Sequence, residues 1–242
     1  MRAVIVAVLQ ARMSSTRLPG KVLADVAGAP MVLRQVERLR RVASIDRLIA
    51  ATSDQASDDP LAQALDAAGV EVFRGSLDDV LGRFAGAVAG LGDNDLMLRL
   101  TADCPLADPV LIEALIGEHL ANGADYSATT LPHRTYPIGL DAEILSVGLL
   151  RLTAAEASDP YEREHVTPFV YRRPERFRLG GLTQAVDESQ VRWTVDLPSD
   201  LDFVRAVYEA LYPAKPAFTS DDIRALVRGR PDLASLGDLP RL

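Results

Sequence analysis

A segment of small and basic residues at positions 10–21 directly follows an apolar run at 4–9 that predicts a first β-strand. Its side chains suit an anion, because Arg12 and Arg17 can each hold phosphate oxygens through two nitrogens and Lys21 adds a compact positive charge. The segment matches neither the G-x-G-x-x-G pattern of dinucleotide sites nor the G-x-x-x-x-G-K-[ST] pattern of P-loops. We therefore expect a phosphate-binding loop of another kind, with a solvated basic turn as the alternative.

Small residues in this segment can bring backbone and hydroxyl groups close to a phosphate. Ser14, Ser15 and Thr16 offer hydroxyls and accessible backbone N–H groups. Gly20 can adopt backbone angles that a Cβ atom would disfavour. Apolar residues then recur at helical spacing over 31–42, which predicts a helix soon after the loop.

Two aspartates stand at the ends of predicted strands. Asp103 follows a nearly apolar run at 96–101, and Asp196 follows another at 191–195. Ligands of open α/β sheets gather beyond the carboxyl ends of the strands, so we expect both carboxylates beside the first loop. Carboxylate oxygens are suitable ligands for a Mg²⁺ ion that lies over a triphosphate. For Asp103 the alternative is a turn or N-cap aspartate.

The loop resembles the signature loop of the sugar-activating nucleotidyltransferases. The closest resemblance is to cytidylyltransferases of the spore-coat-polysaccharide-F and acylneuraminate type, which read roughly Q-A-R-x-G-S-x-R-L-P-G-K. Ser14 stands where that family usually has glycine, which affects how closely the backbone can approach a phosphate. The family carries its metal ligands on two motifs, D-x-P-L and V-D-x-P-x-D-L, which stand here at 103–106 and 195–201. The resemblance thus supports Asp103 and Asp196 as magnesium ligands.

This resemblance implies an Mg²⁺-dependent nucleotidyltransferase that activates a sugar with CTP, giving a CMP-sugar and pyrophosphate for surface polysaccharide biosynthesis. The acceptor that it implies is an anionic sugar, a ulosonic or nonulosonic acid or a related sugar, whose hydroxyl attacks the α-phosphorus in line. Two alternatives are a glycosyltransferase of the same GT-A-like fold with a nucleotide-sugar donor, and a non-catalytic nucleotide-binding module. The predicted catalytic residues are Arg12, Lys21, Asp103 and Asp196.

A further match lies at 74–84, where similar enzymes have R-G-x-x-x-D-V-L-x-R-[FY] near the pyrimidine ring. Arg74 and Ser76 follow a predicted strand and could reach O2 and N3 of a cytosine. Ser76 could instead cap the next helix, with Asp79 completing a capping box. The nucleotide-binding residues predicted from all these segments are Gln10, Ala11, Arg12, Ser14, Ser15, Arg17, Lys21, Thr52, Arg74, Ser76 and Arg99.

Polar-rich segments at 136–143 and 162–167 are the candidates for a sugar site, and in similar enzymes they line the acceptor site and a dimer contact. A sugar pocket needs groups that each bind one hydroxyl, because a wrong hydroxyl leaves buried partners unpaired. The acids at 162 and 164 could instead favour the first turn of a helix, and the histidine could be a satisfied helix residue. The predicted sugar-binding residues are Tyr136, Asp141, Glu143, Glu164 and His165.

The elements that must position these residues alternate between strands and helices through the first half of the chain. This order predicts an α/β fold with a three-layer, mostly parallel sheet, and the resemblance implies the Rossmann-like, nucleotide-diphospho-sugar transferase type. The predicted strands cover 4–9, 47–52, 70–73 and 96–101, and the predicted helices cover 31–42, a segment starting at 58–60, 77–91 and a segment starting at 108–109.

From about 124 to 190 the pattern changes, which predicts a small inserted α+β lobe within a single domain of residues 1–242. The resemblance implies that this lobe supplies sugar contacts and a homodimer interface. After it, a strand at 191–195 is expected to return to the sheet. Capping boxes are expected at Ser199 with Asp202 and at Thr219 with Asp222. Within the lobe we expect strands at 124–129, 141–145 and 177–182 and a helix at 161–172.

Composition restricts the possible partners and compartment. The formal net charge of −8 argues against a general nucleic-acid binder, which would present a basic face. Cys104 is the single cysteine, which excludes an intrachain disulfide and a cysteine-rich zinc site. The first apolar run is too short for a signal peptide, and no stretch approaches the length of a membrane helix. We therefore expect a cytoplasmic protein with no membrane partner.

Overall fold

A seven-stranded sheet forms the centre of the computed structural model, which describes residues 3–236 and 241. Its strands fall close to the runs predicted in the first half of the chain. The strands, including a separate two-stranded hairpin of β2 and β3, are β1 (Ile5–Gln10), β2 (Asp25–Val26), β3 (Ala29–Pro30), β4 (Arg47–Ser53), β5 (Glu71–Gly75), β6 (Leu96–Thr101), β7 (Tyr126–Ala128), β8 (Glu143–Ser146) and β9 (Leu179–Gly181).

Helices cover both faces of this sheet and follow it at the end of the chain. Short 3₁₀ helices also lie at Lys21–Leu23 and Ala56–Asp58. The α-helices are α1 (Met31–Leu39), α2 (Asp59–Ala67), α3 (Val80–Ala87), α4 (Pro109–Asn122), α5 (Val147–Glu156), α6 (Pro160–His165), α7 (Pro168–Tyr171), α8 (Pro198–Leu211), α9 (Ser220–Arg228) and α10 (Pro231–Ala234).

The sheet order is β5-β4-β1-β6-β8-β7-β9. β4, β1 and β6 pair in parallel, as do β4 with β5 and β7 with β9, whereas β8 runs antiparallel to both of its neighbours. One strand of the seven is therefore reversed, and the expected mostly parallel sheet is confirmed. Because Gln10 pairs with both Ala51 and Thr101, the carboxyl ends of the three central strands lie side by side.

The central strand shows why the sheet has three layers. Every residue from Ile5 to Leu9 is at most 3% exposed. Successive side chains of a strand point to opposite faces. Ala7 and Leu9 pack in a cluster with α1, α2 and α4, and Val6 and Val8 pack in another with α3 and α5. A strand covered on both faces needs an unbroken apolar run, which is what the sequence has.

The segment 124–190 adds its strands to the central sheet. β7, β8 and β9 pair with one another and, through β8, with β6, so they extend one edge of the sheet. The helix predicted at 161–172 is two short helices. Pro168 lacks an N–H group and disfavours a helical residue before it, and Val166 has a φ of 72°, so the helix stops at this point.

The prediction that residues 191–195 return to the sheet as a strand is wrong. Residues 191–195 form no regular strand and make one isolated bridge, between Arg192 and Ile138. The apolar residues of this segment instead pack in a third cluster with α8 and α9, in which Trp193 and Val195 are fully buried. The segment is nevertheless held beside β6, because the Val195 N–H donates to the Asp103 carbonyl at 2.7 Å.

Of the two predicted capping boxes, the first is wrong and the second is confirmed. α8 begins at Pro198, where Asp200 accepts from the Leu197 N–H, so the proposed Ser199 and Asp202 box is wrong. α9 begins as expected, with Asp222 accepting from the Thr219 N–H at 2.7 Å. Among the described residues, no helix combines the length and hydrophobicity needed to cross a bilayer.

Candidate active site

Lys21 joins three separate parts of the chain at the carboxyl end of the sheet. Its Nζ donates to the Val195 carbonyl at 2.5 Å and to Asp196 Oδ1 at 3.0 Å, and it lies 3.7 Å from Asp103 Oδ2. The lysine is 8% exposed although it belongs to the basic loop. The predicted loop lysine and both predicted metal ligands therefore meet at one point. A buried ammonium requires such partners, since an unpaired buried charge is costly.

Asp196 is surrounded by cations. Besides Lys21, Arg17 lies 3.0 Å and Arg192 2.5 Å from its Oδ2. Burial alone would raise the pKa of Asp196, but hydrogen bonds from Lys21 and Arg192 and the nearby positive charges outweigh it, so the pKa is lowered. Asp196 is thus a carboxylate at neutral pH, with its charge compensated within the protein.

Asp103 is the more accessible of the two acids, with one third of its side chain exposed. Its Oδ1 accepts from the Thr101 hydroxyl at 2.6 Å, and its carbonyl accepts from the Thr194 hydroxyl at 3.0 Å. The β6 end and the 191–196 segment are therefore bonded to each other through main chain and side chains. Beside it, Cys104 is buried, and burial raises the pKa of its thiol well above the usual value, which suits packing.

The basic loop is closed by its own backbone. The Met13 carbonyl accepts from the N–H groups of Ser15 at 2.9 Å and Gly20 at 3.0 Å. Gly20 has a φ of 74°, the left-handed conformation for which glycine is suited, whereas Ser14 lies outside the left-handed region. Arg12 is exposed and makes no hydrogen bond or ion pair with any residue that the structure describes. The loop therefore presents a free guanidinium.

Two adjoining cavities meet at the two aspartates. The first has a volume of about 340 Å³ and is lined by the basic loop and the β6 end. The second, of about 540 Å³, is lined by β6, β8 and the segments around residues 134, 165 and 192. Thr101, Asp103, His165 and Asp196 line both cavities. Of the predicted nucleotide-binding residues, the first cavity contains Gln10, Ala11, Arg12, Ser15, Arg17 and Lys21.

Three of the five predicted sugar residues line the second cavity. Glu143 forms an ion pair with Arg99 and accepts from the hydroxyls of Tyr126 at 2.8 Å and Thr167 at 2.5 Å. Asp141 pairs with Arg134 at 2.5 Å. His165 is exposed between the cavities. Its ring centroid lies 4.3 Å from that of Tyr161.

The other two predicted sugar residues lie elsewhere. Tyr136 packs against the third apolar cluster, and burial raises the pKa of its hydroxyl. Glu164 is an exposed residue of α6. Within the described chain, neither residue lines either cavity.

The candidates for the nucleobase have structural partners. Thr52 is fully buried and donates to Asp58 at 3.0 Å, and Ser76 accepts from the N–H of Asp79, which is the N-cap of α3. Arg74 donates to the Ser53 carbonyl at 3.0 Å and pairs with Asp59 at 2.7 Å. Thr52, Arg74 and Ser76 line neither cavity in the part of the chain that the structure describes, so a base contact by them stays a prediction.

Asp200 is a buried residue of the site that sequence reasoning missed. Its Oδ2 accepts from the N–H groups of Asp196 and Leu197, both at 2.9 Å, and its Oδ1 accepts from Arg241 at 2.8 Å. Arg192 lies 3.3 Å away. Asp200 therefore fixes the backbone that carries Asp196. The signal was available, because the V-D-x-P-x-D-L motif contains this second aspartate.

We expect Asp200→Asn to lower the free energy of unfolding at pH 7 by about 3–5 kcal/mol, since it removes one partner of a buried charge network. Burial alone would raise the pKa of Asp200, but hydrogen bonds from the Asp196 N–H and Arg241 outweigh it and the pKa is lowered. A lowered folded-state pKa gives stability that is full above about pH 4 and is lost as the pH falls through the folded pKa.

Urea unfolding at pH 7 and at lower pH measures this effect, and the difference between variant and wild type should shrink on acidification. Asp202→Asn is the matched control, because its exposed carboxylate should change stability by less than about 0.5 kcal/mol. An Asp200→Asn difference that is equally small, or that grows on acidification, would contradict this role.

Comparisons with known proteins agree with this geometry. The cytidylyltransferase family model matches residues 6–215. The chain is similar to the spore coat polysaccharide biosynthesis protein SpsF of Bacillus subtilis, with 32% identity over 96% of this chain and 97% of the relative. It is also similar to a 3-deoxy-manno-octulosonate cytidylyltransferase of Yersinia pseudotuberculosis, with 33% identity over 66% of this chain and 65% of the relative.

A solved structure shows the same overall fold. The structure of a cytidylyltransferase from Leptospira borgpetersenii matches with a TM-score of 0.90 and 27% identity, over 98% of this chain and 99% of that chain. The sheet is thus of the Rossmann-like, nucleotide-sugar transferase type that the signature loop implied. With the family model matching most of the chain, and with the motifs of Asp103 and Asp196 meeting the signature loop in space, this chain belongs to the cytidylyltransferase family.

Proposed function

We propose that this protein transfers the cytidylyl group of CTP to a hydroxyl of a sugar and releases pyrophosphate. The observation that carries the proposal is the meeting of Lys21, Asp103 and Asp196 at the boundary of two cavities. A transfer between two substrates needs the donor phosphorus and the acceptor oxygen side by side, and a shared boundary provides such a place.

The first cavity suits the triphosphate of the nucleotide. Arg12 has no partner among the described residues and can bind phosphate oxygens without breaking an existing contact. Arg17 has 59% of its side chain exposed, so its contact with Asp196 can be exchanged for a phosphate at little cost. With Lys21 these arginines would hold the β- and γ-phosphates and stabilise the charge that develops on the leaving pyrophosphate.

The two aspartates fit an Mg²⁺ ion. Both Asp103 and Asp196 bring carboxylate oxygens to the boundary of the cavities, and Asp103 is one third exposed and lies 3.7 Å from Lys21, so it can bind a cation without breaking a close ion pair. No cluster of three or more acidic, histidine or cysteine ligands exists among the described residues. Mg²⁺ commonly binds through one or two carboxylates together with waters and substrate phosphates, so two aspartates are sufficient. When bound, Mg²⁺ would supply positive charge that favours attack at the α-phosphorus.

The second cavity is our candidate for the acceptor. We propose a ulosonic or nonulosonic acid, as the resemblance implies and as the name of the Yersinia relative suggests. Asp141 and Glu143 line this cavity and can accept from sugar hydroxyls, and Arg99 and Arg134 can donate to a carboxylate. His165 lines both cavities, so we propose that it hydrogen-bonds to the attacking hydroxyl of the sugar.

A glycosyltransferase with a nucleotide-sugar donor is the less favoured alternative. The family model is that of cytidylyltransferases, and a loop with three cations suits a triphosphate better than a diphosphate-sugar. The released product separates the two reactions, since one gives pyrophosphate and the other a nucleoside diphosphate.

The direct test is a pyrophosphate-release screen of the four nucleoside triphosphates against acidic and neutral sugars with Mg²⁺. We expect release with CTP and an acidic sugar. Release with another nucleotide alone, or nucleoside diphosphate release from a nucleotide-sugar, would overturn the proposal.

We also propose a homodimer formed through the segment 124–190, in which Tyr161 and Val186 are exposed apolar side chains. Light scattering that finds a monomer over a wide concentration range would exclude it.

Arg12→Ala and Lys21→Ala should each raise the KM for CTP and lower kcat. We expect a loss of about 2–4 kcal/mol in transition-state stabilisation if each residue contacts the developing charge. Lys215→Ala is the matched control, because Lys215 is exposed, pairs with Asp222 and lies outside the described lining of both cavities. Steady-state kinetics measure the effect, and activity within twofold of wild type for either site variant would remove that residue from the site.

A further inference from the structure

Asp58 is a fully buried acid that belongs to none of the matched motifs. It lies in the short 3₁₀ helix after β4, far in sequence from the basic loop. Its Oδ1 accepts from the Met13 N–H at 2.7 Å. Its Oδ2 accepts from the Thr52 hydroxyl at 3.0 Å, the Ser53 N–H at 3.1 Å and the Ser53 hydroxyl. One carboxylate therefore joins the loop to the end of the second strand.

The position of Asp58 in the sequence suggests that its carboxylate caps the helix α2, but it does not. Asp58 precedes α2 with proline in the first turn, yet its side chain makes no capping hydrogen bond with that helix. A buried carboxylate without hydrogen bonds is costly, and four donors compensate Asp58. Burial alone would raise the pKa of Asp58, but hydrogen bonds from Ser53, Met13 and Thr52 outweigh it and the pKa is lowered. Asp58 is thus an ionised acceptor directed at the loop.

Met13, whose N–H is bound by Asp58, connects the end of β1 to the turn that closes the loop. Ala11 continues the strand ladder through its N–H bond to the Ala51 carbonyl, at 3.2 Å. Met13 is bound on both sides, with its N–H on Asp58 and its carbonyl on the N–H groups that close the loop. Arg12 stands between these two fixed residues, and its own side chain has no hydrogen-bond or ion-pair partner in the described chain. The backbone on either side therefore sets the point and direction at which this side chain leaves the loop.

We propose that Asp58 is a positioning residue that fixes the Met13 peptide, and through it directs Arg12 and keeps the loop closed for a triphosphate. This inference rests on the proposed function in one respect, namely that the loop binds phosphates. In Asp58→Asn, only one of the two oxygens remains an acceptor. Three donors converge on the Oδ2 position, so we expect the amide oxygen there, and the NH₂ group would then face the Met13 N–H, which loses its acceptor.

The test is a double-mutant cycle on the affinity for inorganic tripolyphosphate and for CTP, with wild type, Asp58→Asn, Arg12→Ala and the double variant. If Asp58 acts through Arg12, each single change weakens binding about tenfold and the double variant binds nearly as well as Arg12→Ala. Asp66→Asn, an exposed acid on α2, is the control and should bind as wild type. Losses that multiply, or Asp58→Asn binding within twofold of wild type, would overturn the proposal.

A measurement on the wild-type protein covers the case in which Asp58→Asn does not fold. Hydrogen exchange of the Met13 amide should be slow like that of the β1 amides, because a buried carboxylate holds it. Exchange as fast as that of the exposed Ser14 amide would contradict the role of Asp58. Tripolyphosphate binding also separates this inference from the proposed function. If tripolyphosphate binds and the cycle is non-additive while CTP is not consumed, Asp58 keeps its role and the proposed reaction fails.

Discussion

The site depends on one buried ammonium group placed between two carboxylates. Lys21 has 9% of its side chain exposed and contacts Asp103, Asp196 and the Val195 carbonyl. Lys21 comes from the first loop, Asp103 from the end of β6, and Val195 and Asp196 from the segment before α8. Without the lysine, two carboxylates would face each other with less compensation, and without the carboxylates a buried cation would be unpaired. The three groups therefore stabilise one another, and this fixes the relative position of the loop and the sheet.

Two further buried acids bind the backbone of the segments next to this contact. Asp200 binds the backbone on which Asp196 stands, and Asp58 binds the backbone next to Arg12. Both are hydrogen-bonded acceptors with lowered pKa values. Arg12, by contrast, has no partner in the described chain, and Arg17 is largely exposed. The rigid groups are thus those that shape the cavity, and the free cations are those that a phosphate can recruit.

The sequence was most informative where the physical signal is local. The apolar run of β1, its basic loop and the positions of Asp103 and Asp196 could all be predicted, because each signal lies within a few residues. The segment 191–195 was misplaced, because an apolar run does not indicate whether it packs in the sheet or under α8. The structural partners of Thr52 and Arg74, which are Asp58 and Asp59, could not be predicted, because a strand end does not show which side chains fold back onto it. The acid at position 58 was placed at the start of a helix, and its contact with the loop was missed because its partner Met13 lies 45 residues away.

The central claim is that Asp103 and Asp196 act with Lys21 as one unit at the boundary of the two cavities. A double-mutant cycle of Asp103→Asn and Asp196→Asn, followed by turnover at several Mg²⁺ concentrations, tests it most directly. Both substitutions keep the side-chain shape and remove the charge. We expect either one to abolish most turnover and to change its Mg²⁺ dependence, and the double variant to lose little more, because residues that act together are strongly non-additive. Losses that add, with an unchanged Mg²⁺ dependence, would contradict the account.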